Sequence, residues 1–246
     1  MSTALLQTTY FGPVQWYQKL HRYEHTLIEQ YDSYQKQTFR NRCIIATANG
    51  LQALTVPVDT HPVLGASAAP TVLGASAALT VLGGSAASTV LGGSAAESTK
   101  CLLKDVRISD HNQWRRIHWN ALQSAYSESP FFEYYADDIR PFFEQKYDFL
   151  VDFNEAIRQK MCELIDIHPS VEYTREFLSP QEVSSTPHHP IIHDFRDVIS
   201  AKHPQPDADF EVKRYWQVFQ RKHGFLTNLS ILDLLFNMGP ESIFYL

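Results

Sequence analysis

Covalent and metallic staples are scarce in this chain. Cys43, Cys101 and Cys162 are the only cysteines in 246 residues, and their odd number and wide spacing make neither a disulfide framework nor a CxxC metal pair. A reducing cytoplasm is the compartment that composition fits. The N-terminus has no basic region, since its first cation is Lys19, and Gln7, Thr8 and Thr9 interrupt any apolar signal segment, so export is not expected. Positive charge is sparse as well. With 21 Lys+Arg against 27 Asp+Glu and a pI near 6.0, the chain lacks the basic footprint of a general nucleic-acid binder. There is no GxSxG elbow, glycine-rich nucleotide loop or HExxH pair, and no cofactor is implied.

Charge is missing altogether from one long tract. Between Asp59 and Glu97 there is no Asp, Glu, Lys or Arg, and a nine-residue unit recurs from Val63, Val72, Val81 and Val90. Nine residues turn a helix by about half a revolution out of phase, and an odd period reverses the faces of a strand, so neither keeps Val and Leu on one side. The copies also lack the Asp ligands of calcium-binding nonapeptide rolls. Gly, Ser, Thr and Pro interrupt the tract throughout, so no transmembrane segment is expected. Residues 60–99 therefore read as a low-complexity insertion within one domain spanning 1–246.

The rest has ample material for a core, being 44% hydrophobic and 13% aromatic over the whole chain. Ala4 to Tyr10 reads as a strand, Gly12-Pro13 leads into a helix over Val14 to His21, and His25 to Tyr31 returns as a strand. That is a βαβ start whose helix N-terminus can hold an anion, although a lone Gly12 makes neither a dinucleotide fingerprint nor a P-loop and favours a structural turn. Cys43–Ala48 and Leu51–Val58 flank Asn49-Gly50, a strong hairpin signal, and Leu103 to Ile108 reads as a strand beyond the repeats, placing the insertion in a strand-to-strand loop. Asp110 and Gln113 are expected to cap a helix with Trp114, Ile117, Ala121 and Ala125 inward and His118 at the edge of that face. A second helix repeats Leu150, Asn154, Ile157, Met161 and Leu164, with Asn154 needing a partner in the core or a pocket. Ser230 and Asp233 make an S-x-x-D cap, and Gly239-Pro240 ends that helix. The fold class expected is α/β: a mixed β-sheet with flanking helices, a βαβ start, a hairpin and a mainly helical C-terminal half.

Three of the six cations in residues 1–100 fall within Tyr34-Gln35-Lys36-Gln37-Thr38-Phe39-Arg40-Asn41-Arg42. On a helix Lys36 and Arg40 share a face, and on a strand Arg40 and Arg42 do. Either arrangement presents charge to a phosphate or carboxylate, against the alternative of a solvated basic loop. This stretch, with Tyr10-Phe11-Gly12-Pro13, Ser129-Pro130-Phe131-Phe132 and Asn228-Leu229-Ser230-Ile231-Leu232-Asp233, resembles the WbqC-like family. Asp194-Phe195-Arg196 fits the same resemblance, with an Asp–Arg ion pair as its simplest role. The resemblance implies bacterial surface-polysaccharide (O-antigen) biosynthesis and a transferase role, such as placing glycine on a sugar. It brings no established catalytic residues.

Two readings follow. One is a cytoplasmic enzyme passing a small acyl or aminoacyl group to a phosphorylated or nucleotide-linked amino sugar. Lys36, Arg40 and Arg42 would bind phosphate, Tyr10, Gln217 and Asn228 would complete a shared site, and His118 would be the base. The other is a non-catalytic phospho-sugar binder or scaffold for polysaccharide-pathway enzymes. His189 and His193 lie four apart in a histidine-rich stretch, but Pro187 and Pro190 break it, so no metal is expected. Cys43 beside Arg42 is an alternative nucleophile if its thiol pKa is depressed, although a cysteine opening a strand more often packs as a small hydrophobe.

Overall fold

The computed structural model describes residues 2–59, 101–185 and 191–246. Strand β1 (Ser2–Gln7) runs into helix α1 (Val14–Arg22), which returns the chain to β2 (His25–Glu29) parallel to β1. The expected βαβ unit is therefore present, with β2 two residues shorter than the sequence reading. A long loop leads to the hairpin β3 (Arg42–Thr47) and β4 (Gly50–Thr55), whose turn at Asn49 ends on Gly50 at φ +107. Glycine adopts that conformation without a Cβ penalty.

Strand β5 (Val58–Asp59) pairs antiparallel with β6 (Arg107–Ile108), so the chain leaves and returns at neighbouring strands. The expected strand over Leu103–Ile108 is only partly formed. Leu103–Asp105 is a 3-10 turn because its N–H groups are drawn aside, Leu103 to the Asp32 carbonyl at 2.9 Å and Lys104 to that of Gln30 at 3.0 Å. Replacing residues 60–99 by a short turn is expected to leave one cooperative melt, since the β5–β6 pair and these hydrogen bonds remain; a fall of more than about 10 °C in calorimetry would show that the repeats belong to the core.

The remainder is mostly helical: α2 (Trp114–Tyr126), α3 (Phe132–Ile139), α4 (Pro141–Glu144), α5 (Leu150–Leu164), α6 (Pro180–Ser185), α7 (Gln220–His223) and α8 (Ile231–Met238). Two short strands, β7 (Val171–Tyr173) and β8 (Ile191–Asp194), join β1 and β2 in a parallel sheet of order β7-β2-β1-β8. Parallel and antiparallel pairings thus occupy separate sheets. Helix α5 buries Leu150, Asn154, Ile157 and Met161 as the spacing predicts, and Asn154 donates to the Arg40 carbonyl at 2.7 Å.

Helix α2 differs from expectation. Its buried face is Trp114, His118, Leu122, Ala125 and Tyr126, while Ile117 is 53% exposed. Asp110 caps nothing; its carboxylate pairs with Arg115 and, at 2.9 Å, Lys146. The histidine faces inward because it has a buried partner, described below. At the other end of the chain, residues 228–231 close the start of α1. The Val14 N–H donates to the Leu229 carbonyl at 3.0 Å, the Gln15 N–H to Asn228 Oδ1 at 2.9 Å, and the Ser230 hydroxyl to the Phe11 carbonyl at 2.8 Å. The first-turn N–H groups that were open to an anion are therefore partly filled from within.

Candidate functional site

The loop between β2 and β3 is fixed from both sides. The Tyr34 N–H donates to the Cys101 carbonyl at 2.9 Å, and Asn41 is tied to Val56 twice, Nδ2 donating to the Val56 carbonyl at 2.8 Å and the Asn41 carbonyl accepting from the Val56 N–H at 2.8 Å. These ties shape a cavity of about 380 Å³ lined by Tyr34, Lys36, Asn41, Arg42, Thr55 and Asp59. Arg42 stands opposite Thr55 in the hairpin and its Nε donates to Thr55 Oγ1 at 3.0 Å. Neither Lys36 nor Arg42 forms an ion pair among the described residues. Asn41 is 4% exposed and its Oδ1 has no hydrogen-bond partner, an arrangement that is uncommon for a buried amide.

Arg40 is not in the lining. It is 1% exposed, pairs with Asp32 at 2.6 Å and reaches Thr38 Oγ1 at 3.3 Å. Strand alternation would have put it beside Arg42, but β3 begins at Arg42 and Arg40 precedes it in a turn. Burial raises the Tyr34 phenol above its ordinary value, against the pull of Arg40 and Arg42.

Tyr10 and His118 lie behind this cavity. The Tyr10 N–H donates to the Phe39 carbonyl at 2.9 Å, and its hydroxyl meets His118 Nδ1 at 2.9 Å, with both side chains buried. Burial lowers the His118 pKa to about 4, and a hydrogen bond with the Thr55 backbone opposes that shift. A neutral imidazole then accepts a hydrogen bond from the Tyr10 hydroxyl at Nδ1 and turns its other nitrogen to Thr55. The pair supports the cavity wall and is closed to solvent.

Gln217 and Asn228 are committed elsewhere. Gln217 donates to the Leu226 carbonyl at 2.9 Å and to Asp233 Oδ2 at 3.1 Å and accepts from the Leu226 N–H at 2.9 Å. Asn228 exchanges side-chain and backbone hydrogen bonds with Gln15. The structure thus brings Lys36 and Arg42 into one cavity, sets Tyr10, Arg40 and His118 behind it, and uses Gln217 and Asn228 to hold the C-terminal segment. Asn41, Asp59 and Thr55 are lining residues the sequence did not single out. The β3–β4 pairing places Thr55, the β5–β6 pairing places Asp59, and the ties to Val56 place Asn41.

Asp233 does not cap α8. Ser230 does, its Oγ accepting from the Leu232 N–H at 3.3 Å. Asp233, 1% exposed, accepts instead from Tyr126 at 2.9 Å, Tyr215 at 2.7 Å and Gln217. Burial raises its pKa to about 6, with the donors pulling the other way. The Cys43 thiol is pushed up by burial rather than depressed beside Arg42. Cys43, Cys101 and Cys162 are all free.

Among the described residues, no group of three His, Cys, Asp or Glu side chains is placed to hold a metal. His188 and His189 lie outside those residues, while His193 stacks on Phe195. Asp194 and Arg196 form the expected ion pair at 2.6 Å, and Arg196 also approaches the buried Glu29 at 3.4 Å. No described helix is long and apolar enough to cross a membrane.

No curated protein and no solved structure matches the chain. The model of the WbqC-like protein family matches residues 7–66 and 94–245, so the unmatched stretch falls inside the nonapeptide repeats while the cavity, its supporting pair and the closure of α1 fall within the match. The chain belongs to the WbqC-like protein family.

Proposed function

We propose that the protein serves bacterial surface-polysaccharide biosynthesis by holding the phosphate of a phosphorylated or nucleotide-linked amino sugar between Lys36 and Arg42, so that a small acyl or aminoacyl group can pass to the sugar amine. Membership of the family fits a polysaccharide-related role. The observation that carries the site is the presence in one cavity of Lys36 and Arg42, neither of which forms an ion pair among the described residues. A guanidinium fork and an ammonium suit phosphate. Asp59 brings a carboxylate to the same cavity. It can take the proton lost as the amine nitrogen bonds to the acyl carbon and the donor's leaving group departs. His118 then has a supporting role, holding Thr55 and, through it, Arg42.

The absence of a thiol or histidine from the described lining favours a second reading, a non-catalytic carrier of the same phosphorylated sugar. Calorimetric titration with nucleotide-linked amino sugars tests the site. Arg42→Met and Lys36→Met should each weaken binding by about tenfold with little change in the unliganded melt, and unaltered binding in both would remove the site. Mass spectrometry after adding acyl-CoA or aminoacyl donors separates the readings. A mass increase on the sugar, slowed in Asp59→Asn with affinity retained, marks the transferase; binding without transfer marks the carrier.

A further inference from the structure

A second cavity, of about 350 Å³, opens at the start of α2 and is unrelated to the first. Its wall is aromatic. Trp114, Trp119 and Phe143 line it, with Trp119 and Phe143 rings 5.7 Å apart between centroids. Arg115, Arg116 and Arg140 supply the charge around that wall. Asp110 pairs with Arg115 and Glu144 with Arg140, whereas Arg116, exposed at the cavity, has no acidic partner among the described residues. The lining therefore carries one positive charge in excess in a chain whose net charge is −6.

Two further observations point to a ligand. Trp114 is 4% exposed, yet its indole N–H has no acceptor, and neither does Arg115 Nε, although the Arg115 guanidinium lies 4.6 Å over the Trp114 ring. Unmet donors at this depth are rare and call for an acceptor. Asn112 and Gln113 hold left-handed backbone at φ +63 and +49, and Gln113 is in the lining. Two consecutive non-glycine residues in that region store strain of the kind found at ligand sites.

We infer that this cavity binds a planar heteroaromatic anion of the nucleoside monophosphate class, its base against the Trp119–Phe143 wall and its phosphate on Arg116. The ring accounts for the apolar wall, and the phosphate for the Arg116 guanidinium, which has no acidic partner among the described residues. The volume lies in the range that small ligands of this size occupy.

AMP titrated into the full chain, followed by calorimetry and tryptophan fluorescence, tests this. Saturable binding is expected, with adenosine and inorganic phosphate each at least about tenfold weaker. Arg116→Gln, at an exposed position, should weaken AMP by about tenfold, and Trp119→Phe should remove most of the quenching while retaining binding. Arg42→Met should change neither, which separates this site from the sugar cavity. Absence of saturation at about 5 mM AMP, or binding lost in Arg42→Met and kept in Arg116→Gln, overturns the assignment.

Discussion

Asp233→Ala is expected to destabilise the protein by about 4 kcal/mol or more, because it strands the hydroxyls of Tyr126 and Tyr215 and a Gln217 N–H in a dry interior. In thermal denaturation that is a fall of about 10 °C. Asp233→Asn, which keeps the shape, should be much milder but should change the pH dependence. The folded pKa of about 6 lies above the ordinary 3.8, so the folded state binds the proton more tightly. The resulting stability is fully present below about pH 4 and is lost as pH rises through 6, a change of about 3 kcal/mol. His118, lowered to about 4, acts with the opposite sign, losing stability as pH falls below its unfolded value of 6.5. The two slopes nearly cancel in the wild type. Asp233→Asn should therefore uncover a curve that rises with pH between 4 and 6, and a curve parallel to the wild type would refute the assignment.

Arg40→Met should separate from Arg42→Met in the same assay. Arg40 is half of a buried ion pair whose other member, Asp32, keeps 19% side-chain exposure, so removing the cation leaves a poorly solvated carboxylate and costs about 3 kcal/mol. Adding Asp32→Asn should restore much of that loss, as coupling within a pair requires. Among the described residues the Arg42 side chain makes a hydrogen bond to Thr55 and no ion pair, and Arg42→Met should melt within about 0.5 kcal/mol of wild type. Equal melting of the two variants would mean that burial at Arg40 carries no energetic weight.

The features legible in the sequence were those set by near neighbours. Gly12-Pro13 ahead of an amphipathic run announced α1, Asn49-Gly50 announced the β3–β4 hairpin, and Ser230 announced the start of α8. What escaped were side chains whose partners lie far along the chain. Asp233 looks like a capping residue until Tyr126, 107 positions away, is brought against it, and His118 looks amphipathic until Tyr10 meets it from 108 positions away. The sequence grouped Lys36, Arg40 and Arg42 by their closeness along the chain, with helix and strand both left open between Tyr34 and Arg42. One residue of difference in geometry, a turn before Arg42, sends Arg40 to Asp32 and Arg42 to the cavity. Within the candidate site, the cations were legible by composition. Asn41 and Asp59 were not, because the ties to Val56 and the β5–β6 pairing place them.

The closure of α1 by residues 228–231 bears on how the chain is made. A ribosome delivers the chain N-terminus first, at about 5–20 residues per second, so β1, α1 and β2 emerge long before their last hydrogen-bond partners do. Until Asn228 and Leu229 arrive, the N–H groups of Val14 and Gln15 have no native acceptor, and the nascent βαβ unit has only water to satisfy them. Folding of the βαβ unit is thereby biased toward a late event, in which residues 228–231 act as the latch.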